Sequence, residues 1–410
     1  MAVEDFFLVI GMILMIGFFG RAFRERTGIP ESLFLIMLGI VLGPLTNFFD
    51  PAILLSFVPV LSILALTVIL LESSISLDVV SMARSVPRSI AFTLLVGILV
   101  TAFVSSVMYF YLGYNLIASL ILGVISSGTT TITITALLEK LSAPKPVKDV
   151  LLLESVVNDL TVIIATFIIL DFIQAGSVDF AGAIRTVVGD VLSAIVTGFF
   201  AAIIWQRVLV GLHVKRELSY MSTLGAALIT YYAGFLFGAN PIVTVFVFGL
   251  SLANLKYLSE FLQMGDFLTS LRSIRTVQQD ITFFVRTFFF VILGIIFNPL
   301  SLSLPVVTVV GLITMLVLLA RLLSSSIMAM ADPLFAENRF LISVMIPRGF
   351  TATILAFIPA QYGFEIPFLS DIVLLLVFST TLFAIVGTTF VSGAYAQEKA
   401  QNEKKKGKNG

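Results

Sequence analysis

Charge is scarce in this chain. Of 410 residues, only 12% are charged and 59% are hydrophobic, and the mean hydropathy is +1.10. A soluble globular chain of that composition would expose an enormous apolar surface, so the class is an all-α polytopic membrane protein. Cysteine is absent, which excludes disulfides and thiolate metal sites and leaves the compartment open. The one histidine, His213, falls in a connector between apolar runs, so no serine–histidine pair lies within a span. The chain has no Gly-x-x-x-x-Gly-Lys run for a nucleotide phosphate. Its 24 basic residues balance 24 acidic ones, so no global field recruits nucleic acid or an acidic partner. Glu4 and Asp5 stand where a signal peptide carries basic residues, and no small-residue cleavage site follows, so Phe6 to Gly20 reads as a retained span.

What is present is a series of apolar windows, about thirteen of them, each long enough to cross ~30 Å of hydrocarbon. Turn-rich connectors such as Thr27-Gly28-Ile29-Pro30, Gly238-Ala239-Asn240-Pro241 and Asp332-Pro333 separate them. Lys and Arg mark the cytoplasmic side of membrane proteins. With the N-terminus outside, all but four of the 24 basic residues fall in connectors on one side or in the C-terminal tail. The exceptions are Arg185, outside, and Arg286, Arg321 and Arg348, within spans. The expectation is a multi-pass cell-membrane protein with a cytoplasmic C-terminus. Residues 396–410 form a short basic tail, expected to be disordered, whose lysines can touch anionic lipid headgroups. Spans 4–6 and spans 11–13 are offset by seven helices, an odd number, so the two triplets have inverted topology. Inverted repeats with discontinuous helices meeting at the midplane form the ion site in several secondary transporters.

The candidate site starts in span 6, in the stretch Glu154-Ser155-Val156-Val157-Asn158-Asp159. At 1.5 Å per residue, Asp159 lies ~15 Å deep. An acid at that depth costs at least ~2.5 kcal/mol on insertion scales, so by default it marks an ion or proton path. A helix face that merely packs against a neighbour would need one Asn or Ser and not two acids. Span 5 carries Ser126-Ser127-Gly128-Thr129-Thr130-Thr131. Gly followed by β-branched hydroxyl residues weakens a helix and frees carbonyls and hydroxyls, which are hard ligands for a small cation. The alternative is that these hydroxyls glue helices together. Pro347-Arg348-Gly349 in span 12 predicts a second interrupted helix, tolerated only where it is buried or lines a cavity. Arg348 then either neutralises Glu154 or Asp159 or holds the carbonyl end of a broken helix. Arg286 and Arg321 are also within spans, with snorkelling as the alternative. Glu72 and Asp78 read as solvated carboxylates at the end of span 3.

The Glu-Ser-Val-Val-Asn-Asp run, Pro347-Arg348-Gly349, Ala320-Arg321, and the Arg286 stretch that ends at Gly294 together resemble the sodium/proton antiporters of the NhaP and animal NHE branch of the monovalent cation/proton antiporters. The likeness runs from span 1 to span 13. It implies a homodimer of thirteen-helix protomers with crossed discontinuous helices. Spans 4–6 and 11–13, about 89–173 and 303–395, would form the core of the antiporter domain, residues 1–395. Spans 1–3 and 7–10, about 5–72 and 183–297, would form the dimerisation part. The resemblance makes Asp159 the ion and proton carrier. It places Glu154, Ser155, Thr129 and Thr130 around the sodium, lithium or potassium ion, and it gives Asn158, Arg348, Arg321 and Arg286 supporting roles. Asn158, where electrogenic relatives carry a second Asp, implies one proton per cation. The departure is in span 5, where the family's Thr-Asp-Pro falls on Thr129-Thr130-Thr131. The reading is that Gly128 supplies the break and that the Thr130 hydroxyl replaces a charge.

If Asp159 holds a proton or a cation but not both, the two fluxes are coupled in opposite directions without an enzyme activity or a cofactor. An ion-coupled inverted-repeat transporter of another solute and a cation channel fit the same residues.

Overall fold

The computed structural model describes the chain except residues 1–2, 28–29, 47–53, 56–57, 142, 176–179, 212–215, 256, 258–266, 298–301 and 407–410. Among the described residues there is no strand, as an apolar chain with helical runs of this length requires. In hydrocarbon only helices and closed barrels satisfy every backbone group internally. Among the described residues, eight helices are long and apolar enough to cross a membrane. Shorter apolar helices cover Glu31–Leu45, Met221–Leu236, Pro241–Asn254 and Phe350–Gln361.

The chain divides into two compact units. The first comprises Met1–Phe23, Glu31–Ala83 and Leu170–Phe297. Its helices are α1 (Val3–Thr27), α2 (Glu31–Ile40), α3 (Val58–Ser76), α8 (Phe180–Gly211), α9 (Arg216–Leu236), α10 (Pro241–Asn254) and α11 (Phe267–Ile296). Small residues set its packing, because backbones in a membrane gain by approaching closely. A Cβ on Gly39 of α2 would meet the Val291 carbonyl and Gly294 of α11, and one on Gly43 would sit 2.5 Å from the Ile295 carbonyl oxygen. A π-helical turn, Val41–Leu45, continues α2 around Pro44, whose missing N–H and bulky ring forbid a regular turn. Around α10, Leu71, Ile75, Ala202, Ala227, Val245 and Phe248 form an apolar core. Asn240 caps α10 by accepting from the Ile242 and Val243 N–H groups at 3.0 and 3.2 Å.

The second unit comprises Arg24–Pro30, Arg84–Ile169 and Asn298–Gly410. Its helices are α4 (Val86–Phe110), α5 (Leu116–Ser127), α6 (Thr131–Lys140), α7 (Lys145–Ala175), α12 (Leu304–Ala329), α13 (Pro333–Val344), α14 (Phe350–Leu355), α15 (Ile358–Gln361) and α16 (Leu369–Lys406). Two spans are broken, between α5 and α6 and between α13 and α14, at the positions expected from Gly128 and from Pro347-Arg348-Gly349. Asp332 caps α13, accepting from the Leu334 N–H at 3.0 Å, and also takes Arg88 of α4 at 2.5 Å. The tail differs from expectation, since α16 runs helical to Lys406. Its last turns continue a long transmembrane helix, so nucleation, the costly step of helix formation, is already done.

Candidate functional site at the crossing of two broken helices

Breaking a helix inside a low-dielectric interior strands carbonyls at one end and N–H groups at the other. Each half-helix of the second unit that ends at a break has its carbonyl end held by an arginine. Arg348 donates from Nη1 to the Ser127 carbonyl at 2.9 Å, at the end of α5. Arg321 donates from Nε to the Ile342 carbonyl at 2.9 Å, at the end of α13. Cations belong there, because a helix C-terminus carries negative partial charge. Both side chains are fully buried, so Arg321 does not snorkel. Of the two roles open to Arg348, its hydrogen bond is the one to the broken helix.

The breaks also hold each other. Thr130 N–H donates to the Pro347 carbonyl at 3.2 Å. Thr129 N–H donates to Oδ1 of Asn158 on α7 at 3.1 Å. The Arg348 N–H donates to the Thr380 hydroxyl of α16 at 3.0 Å. Thr130 packs against Gly349 so closely that a Cβ there would overlap its Cβ, with Oγ1 at 2.5 Å. This corrects the reading of Gly128. Its φ of −65° and ψ of 123° suit any residue, and a Cβ would meet nothing nearer than 3.4 Å. Gly128 tolerates the break without being required for it. The glycine that the crossing does require is Gly349.

Arg321 also clamps both oxygens of Glu154. Nη1 donates to Oε1 and Nη2 to Oε2, each at 3.0 Å, with neither residue exposed. The fork-to-fork pair is the strong geometry for this interaction. The guanidinium carbon sits 5.1 Å from the Phe92 ring centroid. Oε1 also accepts from the Thr129 hydroxyl at 3.2 Å. Glu154, placed by the sequence reading among the cation ligands, is therefore half of a buried ion pair. The Ser155 hydroxyl donates to the Leu152 carbonyl at 2.9 Å and lies 3.0 Å from the Thr131 hydroxyl. Ser89 and Thr93 of α4 also reach the Val150 and Glu154 carbonyls of α7, at 3.1 and 3.3 Å.

Asp159 is different. It is 4% exposed, and its Oδ1 is buried with no hydrogen-bond partner among the described residues. Thr351, in the first turn of α14, lies against its carboxylate. Arg286 belongs to another group: it sits in the first unit and donates to Glu31 of α2 at 2.6 Å, with Glu72 nearby. Glu72 is thus half-buried next to that pair and is not the solvated carboxylate expected. Phe92, Thr351, Thr380 and Glu31 were all missed as partners. Thr351 alone carried a local signal, a hydroxyl three residues beyond Arg348.

The comparisons with known proteins agree in kind. A family model described as "Sodium/hydrogen exchanger, transmembrane" matches residues 10–394. Sodium/hydrogen exchanger 7 of Arabidopsis thaliana is 24% identical over 316 residues, which is 71% of this chain and 26% of that protein. The chain thus spans about a quarter of that relative's length. Among solved structures, the sodium proton antiporter MjNhaP1 from Methanocaldococcus jannaschii at pH 8 superposes with a TM-score of 0.78 at 18% identity, covering 95% of this chain and 100% of that one. An electron-microscopy structure of the same antiporter gives 0.75, again at 18% identity, over 97% and 98% of the two chains. The likeness in structure is one of fold, and the match of the family model over nearly the whole length decides membership: the chain belongs to the sodium/hydrogen exchanger family.

Proposed function

We propose that the protein exchanges a monovalent cation, sodium first among them, for a proton across the membrane, with the two competing for Asp159. One observation carries the reading. In the crossing, the acid of Glu154 is neutralised by Arg321, whereas Asp159 is buried with an oxygen that no described group engages. A buried carboxylate in that condition must take up a proton or a cation. Family membership supports the same activity. Asp159 is the carrier. Glu154, Arg321, Asn158 and Arg348 hold the broken helices in register around it, and Ser155, Thr129 and Thr130 supply oxygens that an ion can reach when the break shifts. Residues 89–173 and 303–395 act as the ion-carrying core, and residues 5–72 and 183–297 as the dimerising part, in a cell membrane with the C-terminus cytoplasmic. Arg286 serves that second part through its bond to Glu31.

The test is exchange by purified protein in proteoliposomes, with a trapped pH dye and each alkali cation added in turn. The parent chain is expected to dissipate an imposed pH gradient on addition of sodium. Asp159→Asn is expected to abolish this while eluting and melting like the parent. Full activity in that variant would remove Asp159 from the mechanism.

A further inference from the structure

Among the described residues, no three acidic or histidine side chains converge on one point. A cation held by Asp159 must therefore complete its shell from neutral oxygens. Several hydroxyls around the crossing are held by other protein groups in this arrangement. Thr129 donates to Glu154, Ser155 to the Leu152 carbonyl, Thr353 to the Gly349 carbonyl at 2.8 Å, and Thr380 to the Leu376 carbonyl at 2.7 Å. Thr351 is 4% exposed, and it lies on the carboxylate of Asp159. The carbonyl four residues before it, that of Pro347, is taken by the Thr130 N–H. Among the described residues the Thr351 hydroxyl makes no backward hydrogen bond of the kind that occupies its neighbour Thr353. It also comes from the second broken helix, whose entry is fixed by the Arg348 N–H on Thr380 and by Gly349 against Thr130.

We propose that Thr351 is a cation ligand that sets ion affinity and selectivity: its hydroxyl oxygen joins Asp159 in the shell of the transported ion. This rests on the antiport reading above. A hydroxyl oxygen is a hard, neutral donor suited to a small alkali cation. It supplies an oxygen in a crossing that lacks an acid at Thr130, and it adds no charge. Because the oxygen rides on α14 and the carboxylate on α7, a bound ion bridges the two elements, whereas a proton on Asp159 needs no such bridge. Thr351 thus distinguishes the two substrates through a bridge that only the cation makes.

The test compares the parent with Thr351→Val and Thr351→Ser in proteoliposomes, reading sodium KM and maximal rate separately. Losing one ligand oxygen is expected to raise the sodium KM of the Val variant by about tenfold, with the maximal rate kept within about twofold. The Ser variant, which retains the oxygen, is expected to return to the parent KM. The Val variant should also narrow the spread of KM among lithium, sodium and potassium. A packing role alone would lower yield, melting temperature or maximal rate in the Val variant and leave the cation KM alone. An unchanged KM in Thr351→Val overturns the assignment. Should that variant fail to insert, Thr351→Ala is read in the same way. A parent that exchanges no cation overturns the antiport reading itself, whereas a parent that exchanges, with a Val variant of unchanged KM, overturns only the role of Thr351.

Discussion

Two acids five positions apart on one helix have opposite fates. Glu154 has a guanidinium on both oxygens, and Asp159 has no cation hydrogen-bonded to it among the described residues. A buried ion pair is costly to assemble, and removing one partner is worse, because it leaves a bare charge in a low dielectric. Arg321→Gln is therefore expected to lower stability by about 3 to 5 kcal/mol, and the double variant Arg321→Gln with Glu154→Gln to recover most of that loss. Melting in detergent measures both. A double variant as unstable as the single one would show that the pair is not what Arg321 supplies. The two acids were legible in the sequence because they lie within one short stretch of a single apolar run. Their division of labour was not, because it depends on an arginine 167 positions away. The pair Arg286–Glu31, 255 positions apart, was invisible for the same reason: a single sequence holds no signal that joins distant residues.

At the level of elements, the two broken helices are held by unlike means. The break in span 5 is stabilised from outside, by Asn158, Pro347 and Arg348, and its glycine has ordinary dihedrals. The break in span 12 depends on the missing side chain of Gly349, which Thr130 packs against. A glycine next to hydroxyl residues signals a weak helix in either case, and the sequence cannot tell a permissive glycine from an obligatory one, since the difference lies in what faces it. Substitution can. Gly128→Ala is expected to leave exchange intact and to change stability by less than about 1 kcal/mol, because the alanine restricts the unfolded chain at a position it can occupy. Gly349→Ala forces Thr130 away and breaks the Thr130–Pro347 hydrogen bond with it, so exchange is expected to fall by at least about tenfold, the equivalent of losing one such bond. Transport by each variant, normalised to inserted protein, separates them. Equal losses in both would mean that the crossing is not governed by this contact.

At the scale of the whole molecule, two compact units built from interleaved stretches of chain divide the buried charge between them. The second contains two arginines and two acids at the crossing. Glu154 and Arg321 cancel. Arg348 is fixed by the helix end it holds, so its charge is the same whichever ion is bound. On the antiport reading proposed above, what changes during a cycle is Asp159, and its occupied states have equal charge: a protonated carboxyl is neutral, and a carboxylate with one monovalent cation is neutral too. Asn158, next to it, cannot ionise, and the hydroxyl of Thr130 adds no third acid. A core that moves only when Asp159 is occupied therefore moves the same total charge outward as inward. On that proposal one cation would exchange for one proton, and the membrane potential would do no work on the cycle. In proteoliposomes clamped by potassium and valinomycin, the initial rate of sodium-driven proton movement is expected to be the same at zero and at ~100 mV, a potential worth about 2.3 kcal/mol on each net charge moved. A rate that rises or falls severalfold with potential would require a second titrating group in the cycle. The carboxylates nearest in sequence, Glu154 and Asp149, would be the first to substitute by their amides.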